Sequence, residues 1–274
     1  MGRLFTLLFS VSSYCLFLLV FLYLVAFLGN LQQTALADVF PAIGGLVVWS
    51  IDSGRAVAPF GTALAINLGL IGLFGLQHSI MARPGFKQAW TRIVPKPLER
   101  SIYVLLSSVV LAFVMWQWRP IPAPMLWEAS ATWSATIGWS VMGLGILILL
   151  WSTFLIDHFD LFGLKQAWAR FCERPLEPPR FMTPMLYRIV RHPLYVGWFL
   201  IFWGTPGMSI GHLLFAAGMS AYIFIAIRYE ERDLVSVHGE KYERYRQEVP
   251  MVVPLPKKLR GRTKLGTINQ FDAD

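Results

Sequence analysis

Gln77 and His78, Asp157, His158 and Asp160, Arg191 and His192, and Glu230 and Glu231 form four small groups of strongly polar residues, each set where a long apolar run ends. Their chemistries complement one another. An imidazole takes a proton near neutral pH, a carboxylate holds a cation or orients an imidazole, and a guanidinium holds an anion. A pocket made from them binds a ligand of mixed charge and moves a proton beside it. For any one of these residues the plainer account is a side chain reaching interfacial water, since polar groups beside lipid are costly unless paired or functional. Four groups on four segments at one depth point instead to a shared pocket at the membrane boundary.

The elements that must position them are membrane helices. Of 274 residues 55% are hydrophobic and only 15% charged, with 11 Trp and 20 Phe, a usage far from that of a soluble domain. Leu4 to Leu28, Phe60 to Ile80, Ile102 to Trp118 and Trp133 to Ile156 approach or exceed the roughly 20 residues that cross ~30 Å of hydrocarbon. Two shorter apolar pieces, Leu194 to Gly207 and Leu213 to Ile227, read as a hairpin. Lipid offers backbone amides no water partner, so these runs are helical, and no alternating pattern suggests a barrel. The expected fold is all-α: a polytopic membrane bundle of four spanning helices plus a C-terminal transmembrane helical hairpin.

The whole chain reads as one domain. Residues 1–179 hold the N-terminal spans and their loops, 180–250 the hairpin region, and 251–274 a polar tail. The small-x-small triplet within "TALAD" (Thr34 to Asp38) resembles a signal-peptide cleavage site, but the apolar run before it is too long for a signal core, so the first helix is read as uncleaved. "MGRLFT" fits a loose myristoylation pattern that a spanning helix makes redundant. "RPLEPP" (Arg174 to Pro179) reads as a stiff loop.

Basic residues concentrate in three regions: Arg83 to Arg100, Lys165 to Arg191, and the chain from Arg228 onward. The loops between them carry only Arg55 and Arg119. By the positive-inside rule the three basic regions are cytoplasmic, as are both termini, and the composition suits a bacterial inner membrane. The net charge of +8 is thus a topology signal. A nucleic-acid surface is not expected, because the charges are divided among loops beside spans. Cys15 and Cys172 form no disulfide framework or metal spacing. His78, His158 and His192 show no H-E-x-x-H pattern, and bis-histidine haem ligation favours positions deeper in a bundle, so no metal is expected. His212 and His238 read as a turn residue and a solvent-exposed one.

"RHPLYVG" (Arg191 to Gly197), the apolar hairpin, and "EERDLVSVHGEKYERYRQEVP" (Glu230 to Pro250) together resemble the C-terminal signature of membrane methyltransferases related to isoprenylcysteine carboxyl methyltransferase and phospholipid methyltransferase. Glu230, Glu231, Leu234, Gly239, Tyr242 and Tyr245 meet its spacing. Where that pattern has glycine two residues before a tyrosine, this chain has Met185. "GLQHSIMARPGFK" (Gly75 to Lys87) and "STFLIDHFDLFGLKQ" (Ser152 to Gln166) resemble the branch that holds methanethiol S-methyltransferases and NnrU-like proteins.

The resemblance implies S-adenosyl-L-methionine over the hairpin. By position, the backbone of Arg180, Phe181 and Met182 would pass along it, Tyr187, His192 and Tyr195 would line it, and Glu230 would hold its polar end. A ligand with a sulfonium, an ammonium and a carboxylate needs an acid, Glu230 or Glu231, and a donor, Arg191 or His192. Pro193 would fix the chain direction entering the membrane, and Gly197 would admit a close neighbour. Tyr242 and Tyr245 read as packing of the last helix, and Lys241 and Arg244 as a solvated or lipid-phosphate-facing surface. The branch implies methylation of a small thiol, methanethiol to dimethyl sulfide, with membrane lipids as surroundings. His78, Asp157 and His158 are the candidates for removing the thiol proton. A lipidic substrate, either isoprenylcysteine or a phospholipid, and a non-enzymatic accessory role in nitrogen-oxide metabolism stay open. A nicotinamide-dependent reductase would need a glycine-rich phosphate loop that the sequence lacks.

Overall fold

The computed structural model describes residues 2–31, 49–176 and 181–254. The chain begins with α1 (Arg3–Leu28) and resumes with α2 (Phe60–Ala82), a short α3 (Pro84–Trp90) and α4 (Lys96–Gln117). A strand, β1 (Met125–Glu128), leads into α5 (Thr132–Ile156), the single-turn α6 (His158–Leu161) and α7 (Leu164–Phe171). A 3-10 turn (Met185–Arg188) then opens the last unit: α8 (Pro193–Trp203), β2 (Gly207–Ser209), α9 (Ile210–His238) and α10 (Glu240–Glu248). "TALAD", the Pro41 to Gly45 stretch, the end of "RPLEPP", Arg180 and the tail beyond Pro254 lie outside the described residues.

Five of these helices, α1, α2, α4, α5 and α9, are long and apolar enough to cross a membrane. The chain is an all-α polytopic membrane protein, as its hydropathy requires. Two boundaries differ from the sequence reading. The second limb of the hairpin runs for 29 residues rather than stopping near Ile227, because no glycine or proline interrupts it between Gly218 and Gly239. At 1.5 Å per residue it is roughly 43 Å long, so its last turns project past ~30 Å of hydrocarbon and carry Glu230 and Glu231 with them. α4 likewise starts at Lys96, which places Glu99 and Arg100 on helix instead of loop. α8, by contrast, is 11 residues, roughly 16 Å, and does not span alone.

α8 is held by α5. A Cβ on Gly197 would lie 2.7 Å from the Gly145 carbonyl oxygen, and one on Gly145 would lie 2.8 Å from that of Gly197. Only glycine at both positions lets the two backbones touch, which is how small residues join membrane helices. Leu24, Phe27, Trp118, Met142, Ile201, Phe202 and Phe215 fill the centre of the bundle. Leu19, Leu22, Leu76 and Leu147 stay exposed, as lipid-facing side chains should.

The ends of the helices sort into two faces. One is closed by the antiparallel pairing of β1 with β2, a small ribbon the sequence reading did not anticipate. Asp52 ties that face together, accepting from Asn30 at 2.7 Å and from Ser209. The other face gathers the basic regions, and Arg83 pairs there with Asp233 at 2.8 Å. The four polar groups lie on this basic face.

Candidate active site at the basic face

Arg191 and His192 close the 3-10 turn, and Pro193 takes the first helical position of α8, where a missing N–H costs nothing. Arg191 Nε donates to Glu231 Oε1 at 2.7 Å, and His192 Nε2 lies 3.0 Å from the same oxygen. A second guanidinium nitrogen of Arg191 donates to the carbonyls of Arg246 (2.8 Å) and Val249 (2.5 Å). The backbone N–H groups of Arg191 and His192 donate to Pro250 and Met251. With both side chains of the ion pair only 8% exposed, this is a buried clamp that fastens the segment after α10 across the start of α8. Arg191 and Glu231, expected as ligand-binding groups, are committed to that internal network.

Glu230 is one residue away and differently placed. Its side chain is 42% exposed, Tyr195 Oη donates to its Oε2 at 2.9 Å, and His192 Nδ1 stands 4.0 Å off. Its charge reaches Tyr187, Tyr103 and Tyr222. Burial first, then the charge of Glu230, pushes the Tyr187 phenol above its usual range, so it stays a neutral donor. Tyr245 donates to the Tyr187 carbonyl at 2.6 Å, and Phe181 packs against His238, Tyr242 and Tyr245. Tyr242 is buried, as a packing role requires, and Met182 is exposed. Met185 has φ +36°, in the left-handed region that favours glycine. The position where the resembling family has glycine thus keeps a glycine-like backbone here under a methionine side chain.

His78, near the end of α2, lies on the same basic face among tyrosines. Its Nε2 lies 2.8 Å from Tyr103 Oη and its Nδ1 3.1 Å from Ser107 Oγ, both on α4. Gln77 also donates to Ser107, at 3.4 Å. Phe74 stacks on the imidazole at 5.2 Å, and the Tyr222 ring of α9 stands edge-on at 6.3 Å. Tyr222 lies directly over Gly75, where a Cβ would approach its ring to 3.0 Å. Phe74, Tyr103 and Tyr222 therefore surround the His78 imidazole with aromatic rings.

His158 and Asp157 occupy a different environment. His158 Nε2 meets Tyr14 Oη at 2.7 Å and Nδ1 meets Thr153 Oγ1 at 2.8 Å, while Phe154 stacks on the ring at 4.2 Å. Burial lowers the affinity of this imidazole for a proton, with the Asp157 charge opposing. Asp157 turns to Lys165, at 2.5 Å, and accepts from the Asp160 N–H. Burial alone would raise its carboxyl, but these two donors outweigh it and hold it below the usual range. Among the described residues, the shells of His78 and His158 share no side chain. The helices thus set His192, Tyr195 and Glu230 together, give His78 its own shell of Tyr103, Ser107, Phe74 and Tyr222 on the same basic face, and leave Asp157 and His158 in a separate network between α1 and α5.

Tyr103, Ser107 and Tyr222 were not singled out from the sequence. The available signal was a pair of hydroxyl-bearing residues about two to three turns inside the basic end of α4, and one about two turns before Glu230 on α9. No three His, Cys, Asp or Glu side chains among the described residues converge as a metal site.

Fold and site together define a polytopic helical membrane protein with aromatic and acidic side chains gathered at its basic face. Residues 66–232 match the family described as NnrU protein, and the chain belongs to that family. It is 48% identical over 254 residues to a methanethiol S-methyltransferase of Crocosphaera subtropica, covering 93% of both chains. It is 42% identical to a methanethiol S-methyltransferase of Mycobacterium tuberculosis, covering 93% of this chain and 98% of the other. A more distant relative is Nurim of Pan troglodytes, 34% identical over 62% of this chain and 68% of its own length. No solved structure gives a significant match.

Proposed function

We propose that this chain is an S-adenosylmethionine-dependent thiol S-methyltransferase that converts methanethiol to dimethyl sulfide at the cytoplasmic face of the membrane. The observation that carries the reading is the half-exposed Glu230 carboxylate, oriented by Tyr195 on the same basic face as His78 and its aromatic neighbours. The methyltransferase names of relatives that cover nearly the whole chain supply the substrate.

The residues present fit the cofactor. A carboxylate beside tyrosine faces suits a ligand bearing ammonium and sulfonium charges. Glu230 and Tyr195 would hold the ammonium pole, with His192, Tyr187 and the backbone of Phe181 and Met182 beside it. When bound, S-adenosylmethionine supplies an electrophilic methyl group. The protein must orient a small thiol toward it, keep water away and accept the thiol proton, because the thiolate is the nucleophile. Phe74 and Tyr222 provide the apolar wall and His78 the basic group. Asp157 and His158 support the fold of that end of α5 in this reading, because their polar atoms are engaged with Lys165, Tyr14 and Thr153. The positive-inside rule favours a cytoplasmic position for the basic face and for both termini.

The test is incubation of protein in nanodiscs with methyl-labelled cofactor and a panel of methanethiol, longer thiols, isoprenylcysteine and phosphatidylethanolamine. Label in dimethyl sulfide is the expected result. Label only in a lipidic acceptor would overturn the substrate, and no binding of S-adenosylmethionine or S-adenosylhomocysteine by calorimetry would overturn the reading altogether.

A further inference from the structure

The imidazole of His78 has no free nitrogen to offer a substrate. Ser107 Oγ receives Nδ1 at 3.1 Å and the Gln77 amide at 3.4 Å, so the hydroxyl oxygen is met by two donors when Nδ1 carries the ring hydrogen. That tautomer leaves Nε2 as a bare acceptor, and the group pointing at it is Tyr103 Oη, 2.8 Å away. In that tautomer Tyr103 donates to His78 and keeps lone-pair capacity on its oxygen. The same phenol lies within reach of the Glu230 charge, as does Tyr222. Arg100 stands 5.9 Å from the centre of the Tyr103 ring. The tyrosine, not the histidine, is therefore the hydroxyl-bearing end of this pair.

Resting on the functional reading above, we infer that Tyr103 is the catalytic residue that contacts the thiol, with His78 as the proton acceptor behind it and Ser107 as the group that fixes the imidazole tautomer. The S–H bond breaks with its electron pair kept on sulfur. Its proton goes to Tyr103 Oη as the phenolic proton passes to His78 Nε2, and His78 becomes an imidazolium whose Nδ1–H is accepted by Ser107. The sulfur pair forms the new bond to the transferred methyl, the bond it replaces returns its pair to the leaving sulfur, and the one proton released returns from His78 through Tyr103 Oη to water once the product has left.

Two readouts test this, one of them independent of turnover. The ionisation of ¹³C-methyl methanethiol bound to cofactor-free protein in nanodiscs is followed by NMR across pH, alongside the pH dependence of kcat. In the wild-type protein the bound thiol should ionise at lower pH than the free thiol. Tyr103→Phe keeps the ring and should lose that displacement, with kcat at pH 7 falling by about 10²-fold or more and recovering as pH rises. His78→Gln, which can hydrogen-bond Tyr103 but not take its proton, should behave alike and carries the test should Tyr103→Phe not fold. Wild-type-like thiol ionisation and turnover within about threefold in either folded variant would overturn the inference. Wild-type protein that ionises the bound thiol but transfers no methyl group would sink the functional reading alone. Wild-type turnover without displaced ionisation would sink the role of Tyr103 alone.

Discussion

Glu230 and Glu231 are neighbours with opposite fates, and their substitution separates binding from folding. Glu231 is buried against Arg191 and His192. Removing one member of such a pair strands a buried charge, so Glu231→Ala should cost about 3–5 kcal/mol, read as a lower unfolding temperature in detergent. Glu230→Ala should leave that temperature nearly unchanged and weaken S-adenosylmethionine binding by calorimetry, because a half-exposed carboxylate costs little to delete from the empty fold. Unchanged affinity in Glu230→Ala would count against the cofactor pose. His158 predicts a pH effect of definite sign. Its folded proton affinity is lowered by burial, so stability is complete above the ordinary histidine pKa of about 6.5 and declines as pH falls below it. Asp157, held below the usual carboxyl range, keeps its contribution until pH falls under about 4. A folded His158→Gln variant should therefore show a shallower decline between pH 7 and 5, by the share of one imidazole, while retaining the loss at lower pH. Parallel stability curves for variant and wild type would refute that assignment.

The hairpin depends on one close helix contact and one unusual turn. Gly197→Val would force its side chain into the Gly145 carbonyl, and helix backbone there has no room to yield. Loss of folded protein on size-exclusion chromatography is expected, whereas an intact variant with normal turnover would show that α5 and α8 tolerate separation. Met185 holds φ +36°, a region that costs a non-glycine residue about 1–2 kcal/mol. Part of that is returned by the smaller unfolded-state entropy of methionine, so Met185→Gly should be neutral or stabilising by up to about 1 kcal/mol, and Met185→Val destabilising. Thermal unfolding of the three proteins gives the order directly.

At the scale of the molecule, the division into a basic face and a ribbon-closed face orients the protein in its membrane. Cys15 lies within α1 among lipid-facing side chains, and Cys172 follows α7 on the basic face, both free. A membrane-impermeant maleimide should label Cys172 only after cells are opened, and Cys15 not at all, since thiolate formation is suppressed in lipid. Labelling of Cys172 on intact cells would invert the topology and move the site to the outer face.

Hydropathy over some 20 residues is a local property, so the sequence alone determined the helical membrane class, the spans and the depth at which polar residues collect. It also marked His78, His192 and Glu230 as members of one boundary layer. Which members meet was not legible there. Successive residues on a helix point about 100° apart, so the burial of Glu231 and the exposure of Glu230 depend on how α9 is rotated against α8. The same rotation, set by packing over Gly75 and by the glycine contact of α5 with α8, brings Tyr222 to His78 and leaves His158 with Tyr14. Tyr103 and Ser107 look like ordinary span residues until α4 lies beside α2. Only then does a hydroxyl 25 residues away in the chain stand 2.8 Å from an imidazole nitrogen, because side-chain direction across a helix interface is a tertiary quantity that no spacing within one helix encodes.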